Sequence, residues 1–318
     1  MRLDGHRSAI FNIAFNPVKR ILASGDDYGE IRLWDLDSGT TLEIFQPPVD
    51  RKKDGSLVAF SPDGSILAAW PFETNYQLAL WNFHLRKVDG TFECVNVNSI
   101  VWSPDGLILA CAERIVTLRD GKTGKKVKEL EIIGHKGSIV SLAWSSNARL
   151  LATGGDEDNS SIQIWDVEKS EQVAIYKSVH YAQNIKSISF YSDDALIYID
   201  VSGQPYIWYW KTNKEPQIIN QGVLVPDIDN YPTQLNSSGQ YIARISSVDY
   251  RILHIIDLAT GIKSTFYASD GHEEVISYMV FSTDSRTLAS GDFAGTVYTW
   301  ELSPRLGGNQ PQNRSIEK

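Results

Sequence analysis

Apolar residues along this chain gather into short runs, each ended by a turn signal, and no long helical period interrupts them. In the first stretch Ala9–Phe15 reads as a strand and Asn16-Pro17 opens a turn, with Ile21–Ser24 as the next strand. Glu30–Trp34 follows, then a turn through Asp37-Ser38-Gly39, then a fourth strand, Thr41–Phe45. Runs such as Ile162-Gln163-Ile164-Trp165 carry fewer polar alternates than a half-exposed strand needs, so burial on both faces is expected.

This unit recurs. A bulky residue and a tight turn appear at Phe15-Asn16-Pro17, Phe60-Ser61-Pro62-Asp63-Gly64 and Trp102-Ser103-Pro104-Asp105-Gly106. They return at Trp144-Ser145-Ser146-Asn147, Phe190-Tyr191-Ser192-Asp193, Leu235-Asn236-Ser237-Ser238-Gly239 and Phe281-Ser282-Thr283-Asp284, at intervals of 45, 42, 42, 46, 45 and 46 residues. A second ladder runs in phase with the first: Trp34-Asp35, Trp81-Asn82, Arg119-Asp120, Trp165-Asp166, Trp210-Lys211, Ile256-Asp257 and Trp300-Glu301. Gly39, Gly124 and Gly261 follow this second anchor, where a turn often needs positive φ. Four short strands make a sheet too small to bury both faces alone, and radial stacking around an axis solves this. The prediction is all-β: a seven-bladed propeller of four-stranded antiparallel blades over residues 1–302, then a disordered polar tail, 303–318.

Gly-His precedes the Trp by 28 to 30 residues at Gly5-His6, Gly134-His135 and Gly271-His272. With the Trp-Asp ladder, this pattern resembles the WD-repeat family from about Gly5 to Leu302. The resemblance implies a buried hydrogen-bond network in a blade, joining His, Ser or Thr, Asp and Trp. His6, Ser24 and Trp34 would supply three members in the first unit, His135, Thr153 and Trp165 in the fourth, and His272, Ser290 and Trp300 in the seventh. The family's Asp position holds Tyr28, Asn159 and Ala294 here, with Asp27 and Asp158 one residue away as substitutes. Units two, three and six lack Gly-His, and Arg119 takes the Trp place in unit three. The resemblance also has the N-terminal segment close the last blade. Only Met1–Gly5 are available for this, so either a very short strand closes it or the chain is a fragment of a longer protein.

Composition narrows the function. The formal net charge of −9 argues against a nucleic-acid binder or an electrostatic membrane-surface protein. Cys94 and Cys111, the two cysteines, have no metal-ligand spacing, and the first residues have no signal-peptide character, so a reducing, cytoplasmic setting is expected. Nucleophile-elbow, phosphate-loop and His-Glu-x-x-His motifs are missing, so no catalytic residue, cofactor or metal is expected. By the resemblance, one face of the disc carries the Gly-His loops and those between second and third strands. Asp27, Tyr28, Phe72, Asp156, Glu157, Asp158, Tyr181, Asp229, Tyr231, Tyr250, Glu273 and Phe293 map there, with Asp26, Asp200, Asp249, Glu274 and Asp292 beside them. Such an acidic, aromatic ring suits a basic peptide or protein segment.

The expected function is therefore a non-catalytic interaction scaffold, acting as a monomer or as a subunit of a larger complex. The alternatives are a sensing or regulatory propeller of a larger NTPase-type protein and, behind it, a propeller hydrolase or lactonase. Trp208, a surplus aromatic two residues before the second anchor, is either a gap filler or an exposed hot spot.

Overall fold

A computed structural model describes residues 1–45, 55–72, 77–94, 97–112, 115–130, 138–155, 161–177, 185–212, 214–219, 232–266 and 271–302. Pro71 and Phe72 are described in their backbone only. These residues form seven four-stranded antiparallel sheets, the blades of a propeller. Blade 1 comprises Ile10–Phe15, Ile21–Asp26, Ile31–Asp35 and Thr41–Phe45, in that order from the axis outward. The units without Gly-His are four-stranded as well. In blade 5 the outermost strand is reduced to Gln217–Ile218. Among the described residues no helix is long and apolar enough to cross a membrane.

The core is not central. It consists of seven apolar clusters, each lying in the seam between two neighbouring blades. This is why the second strands are buried on both faces: all six residues of Leu150–Gly155 and of Ala195–Asp200 are buried. Small residues set how closely the blades approach. A Cβ at Gly25 would lie 2.0 Å from Ser56 Oγ, one at Gly154 2.7 Å from Ile185, and one at Gly291 2.4 Å from Ile10. Each of those neighbours belongs to the following blade, so these glycines are spacing requirements of the seam.

Both anchors serve the same seams. Trp34 packs with Leu3, Ala289 and Val297 of blade 7, Trp165 with Ala110 and Leu118 of blade 3, and Trp300 with Leu253 and Ile255 of blade 6. From the first anchor, Trp102 Nε1 donates to Ala59 O at 3.1 Å and Trp144 Nε1 to Val101 O at 3.4 Å. Each of these bonds reaches back one blade. Arg119 shows how the ladder survives losing its Trp. Its guanidinium donates to Glu93 O of blade 2 at 2.8 Å and lies 5.7 Å from the Phe92 ring, so a flat cation replaces the indole in the wedge. Trp208 is buried and packs 5.7 Å from Tyr176 of blade 4, as the gap-filling reading requires. Gly39, Gly124 and Gly261 adopt φ of +72°, +65° and +72°, as their turns demand.

The last blade closes with a two-residue strand. Arg2–Leu3 pairs with Val297–Tyr298, and Leu3, fully buried, inserts between Trp34 and Val297. The ring is thereby joined by hydrogen bonds as well as by packing, and Ser277 Oγ adds a bond to Ile10 O at 2.6 Å. Leu3→Ala should destabilise the protein by about 2–5 kcal/mol, the usual cost of a large-to-small change at a buried site. Thermal melting monitored by tryptophan fluorescence will show this as a lowered Tm.

Candidate partner-binding face

In a four-stranded antiparallel blade, the loop between second and third strands and the link to the next blade leave at the same end of the disc. The second-strand ends shape that face. The carboxylate of Asp26 accepts from the Tyr28 and Glu30 amides, both at 3.0 Å. Asp292 accepts from Ala294 N at 3.0 Å and Thr296 N at 2.8 Å, and Asp200 from Gln204 N at 3.0 Å. Each carboxylate thus folds its own loop, using a short polar side chain as a turn template. Gly29 and Gly295, both at φ +86°, complete the loops of blades 1 and 7.

Behind these loops lie the buried networks. In blade 7, His272 Nδ1 lies 2.8 Å from Asp292 Oδ2 and Nε2 2.6 Å from Ser290 Oγ, which also accepts from Trp300 Nε1 at 2.8 Å. In blade 1, Ser24 Oγ lies 2.7 Å from His6 Nε2 and accepts from Trp34 Nε1 at 2.7 Å. The fourth member is Asp292 in blade 7 and Asp26 in blade 1, not Asp27. Asp26, as the last strand residue, presents its carboxylate inward, whereas Asp27 is half-exposed and its amide bonds Ala9 O. The signal was present, since in both units an Asp follows the network serine after one glycine. In blade 4, Thr153 and Trp165 are buried, while His135 and Asp158 lie outside the described residues. The glycine of Gly-His has its own reason: a Cβ at Gly271 would come 2.3 Å from the Trp300 ring.

Blade 1 differs in detail. His6 Nδ1 stands 3.4 Å from both Asp26 Oδ2 and Glu30 Oε1, and Glu30 also accepts from Arg32 Nε. Burial pushes the Glu30 carboxyl upward, but the contacts with His6 and Arg32 outweigh it and hold the group at about 2.

The acidic ring is smaller than the sequence suggests. Asp26, Asp200 and Asp292 are only 2%, 3% and 1% exposed, so they present no charge to a partner. Asp249 is held by a two-pronged contact from Arg251, at 2.9 and 2.8 Å. Tyr250 is half-buried and packs against the cluster between blades 6 and 7. Exposed on this face are Tyr28 (44%) and Phe293 (59%), as are Glu273 and Glu274 on the link into blade 7. Glu273 accepts from Arg2 Nη1 at 3.1 Å. Two exposed apolar residues were missed. Val248, 92% exposed, tips the corresponding loop of blade 6, and Phe11, 43% exposed, sits where a bulge between Ile10 and Asn12 turns it out of the innermost strand's alternation. Asp156, Glu157, Asp158, Tyr181, Asp229, Tyr231 and the Phe72 side chain lie outside the described residues, as does the tail 303–318.

Comparison with known proteins agrees with this architecture. A family model described as "WD domain, G-beta repeat" matches residues 1–35, 124–166 and 263–301, the three units that carry Gly-His. WD repeat-containing protein 1 of Xenopus tropicalis is 27% identical over 285 residues, covering 85% of this chain and 44% of the relative. The p21-activated protein kinase-interacting protein 1-like protein of Danio rerio is 27% identical over 219 residues, covering 66% and 54%. Human apoptotic protease-activating factor 1 is 28% identical over 179 residues, covering 52% and 13%. The chain spans about half or less of the length of the curated relatives it matches.

Ser290→Ala strands the buried His272 Nε2 and Trp300 Nε1 together, and should destabilise the fold by about 2–4 kcal/mol. A lowered midpoint in urea, with far-ultraviolet circular dichroism unchanged in its absence, will register this. The Glu30 carboxyl lies below its ordinary value of 4.5, so the stability it contributes is fully present above pH 4.5 and lost as pH falls toward 2. Glu30→Gln should flatten this part of the acid-unfolding profile followed by fluorescence.

Proposed function

We propose that this chain, a seven-bladed β-propeller of which three units match the WD-repeat family model, is a non-catalytic scaffold receiving a protein or peptide segment on its loop face. WD-repeat relatives fit a protein-interaction role in general, and the name of the Danio rerio relative states such an interaction for that protein. The observation that carries the reading is the set of apolar side chains Val248, Phe293 and Tyr28, held outward on corresponding loops of blades 6, 7 and 1. These blades are consecutive around the ring, so one extended segment spans all three loops.

The physical logic is that of a preorganised hot spot. Asp26 and Asp292 fix the loop backbones from inside, so Tyr28 and Phe293 lose little freedom on binding. Glu273 and Glu274 add negative charge on the link into blade 7, which favours a segment carrying Lys or Arg and speeds its encounter. The acidic run Asp156-Glu157-Asp158 extends this preference in the proposal.

Affinity capture from native lysate, read by mass spectrometry, tests the reading with three proteins: wild type, Tyr28→Ala with Phe293→Ala, and Asp156→Lys with Glu157→Lys and Asp158→Lys. A partner retained by wild type should be lost by the aromatic variant, with Kd raised about tenfold or more for each anchor removed. The charge variant should slow association most at low salt. Retention of the same partner by every variant would move the site off this face.

A further inference from the structure

Blade 1 and blade 7 carry the same buried network, with one difference. In blade 7 the imidazole sits 2.8 Å from a single carboxylate, that of Asp292. The residue four positions after that Asp is Thr296. In blade 1 the corresponding residue is Glu30, and the imidazole stands back, with Nδ1 3.4 Å from each of two carboxylate oxygens. The side chains of His6, Asp26 and Glu30 are 0%, 3% and 9% exposed. Among the described residues His6 Nδ1 has no hydrogen-bond partner, although it points between the two acids.

We propose that His6 Nδ1, Asp26 Oδ2 and Glu30 Oε1 form a structural site for a divalent transition-metal ion of the zinc type, set in the seam between blades 7 and 1. The three atoms lie within 4.8 Å of one another. Ligands about 2.0–2.2 Å from a metal stand roughly 3.0–3.5 Å apart, which the two 3.4 Å separations match. One imidazole and two carboxylates are borderline and hard donors, a set that suits zinc and excludes soft ions.

The surroundings supply what such a site requires. With an ion bound, Nε2 carries the ring proton and donates it in a hydrogen bond to Ser24 Oγ, 2.7 Å away, which leaves the Nδ1 lone pair for the ion. The Tyr28 and Glu30 amides occupy Asp26 Oδ1 and leave Oδ2 free to ligate. Arg32 Nε donates to the same Glu30 oxygen, Oε1, and fixes its orientation toward His6 while leaving it a second lone pair. Two buried carboxylates against one guanidinium leave a negative charge, which a bound cation offsets. Three protein ligands leave a fourth position for a water, and the burial of all three side chains keeps that position from a large substrate, so the site serves to hold the seam.

Blade 7 provides the control, because Glu30→Thr converts blade 1 to an arrangement that this fold already contains. Purified protein is stripped with a chelator, given Zn²⁺, desalted, and analysed for metal by mass spectrometry and for Tm. Wild type should retain about one zinc per chain and melt several degrees higher with metal than without. Glu30→Thr should retain none, and its Tm should be the same with and without metal. Glu30→Gln, which keeps the contact with Arg32, should bind about tenfold or more weakly and serves if the Thr variant fails to fold. Co²⁺ in place of zinc should give visible absorption bands in wild type alone. The proposal is overturned if wild type retains no zinc, or if the Glu30 variants retain as much as wild type.

Discussion

Everything in this molecule depends on burial between sheets rather than within them. A four-stranded blade has two apolar faces and no interior, so its free energy of folding comes from contact with the blades on either side. Among the described residues each of the seven apolar clusters straddles a seam. Closure follows from the same need. Without Arg2–Leu3 against Val297–Tyr298, the outer edge of blade 7 stays unpaired and the seam holding Trp34 loses Leu3.

The seam also governs the loop face. The strand that buries Leu22, Ala23 and Ser24 ends in Asp26, and the strand that buries Leu288, Ala289 and Ser290 ends in Asp292. One oxygen of each carboxylate folds the loop above it, while the other turns toward the imidazole below. Core and surface are joined through a single side chain in each of these blades. Tyr28 and Phe293 are thus displayed from a rigid base, and a rigid display is what makes an aromatic side chain useful as a binding anchor.

The blades resemble one another in shape more than in chemistry. Trp34, Trp165 and Trp300 fill their wedges with indole rings, while Arg119 fills its own with a guanidinium laid near Phe92. The seam between blades 4 and 5 answers a similar need with Tyr176 and Trp208. A seam accepts side chains of different chemistry that fill its space, which is how the repeat degenerates while the ring persists.

The count of blades, the strand order in each and the turns at Gly39, Gly124 and Gly261 were legible in the sequence. They arise from local patterns: a repeated anchor, alternating runs and residues that tolerate positive φ. In blades 1 and 7 the His, Ser and Trp of the buried networks were legible, but the Asp was not. Which of Asp26 and Asp27 turns inward depends on where the second strand ends, and pairing with neighbouring strands decides that. The sequence likewise assigned charge to a loop face without distinguishing Asp26, Asp200 and Asp292, which are buried, from Glu273 and Glu274, which are exposed. It also placed Phe11 inside a strand, where a bulge turns it outward. Local pattern determines what an element is, because strands and turns follow from backbone sterics and alternation within a few residues. Which way a side chain faces, and what it meets, was decided only when seven sheets closed into a ring, because exposure belongs to the neighbours and not to the residue.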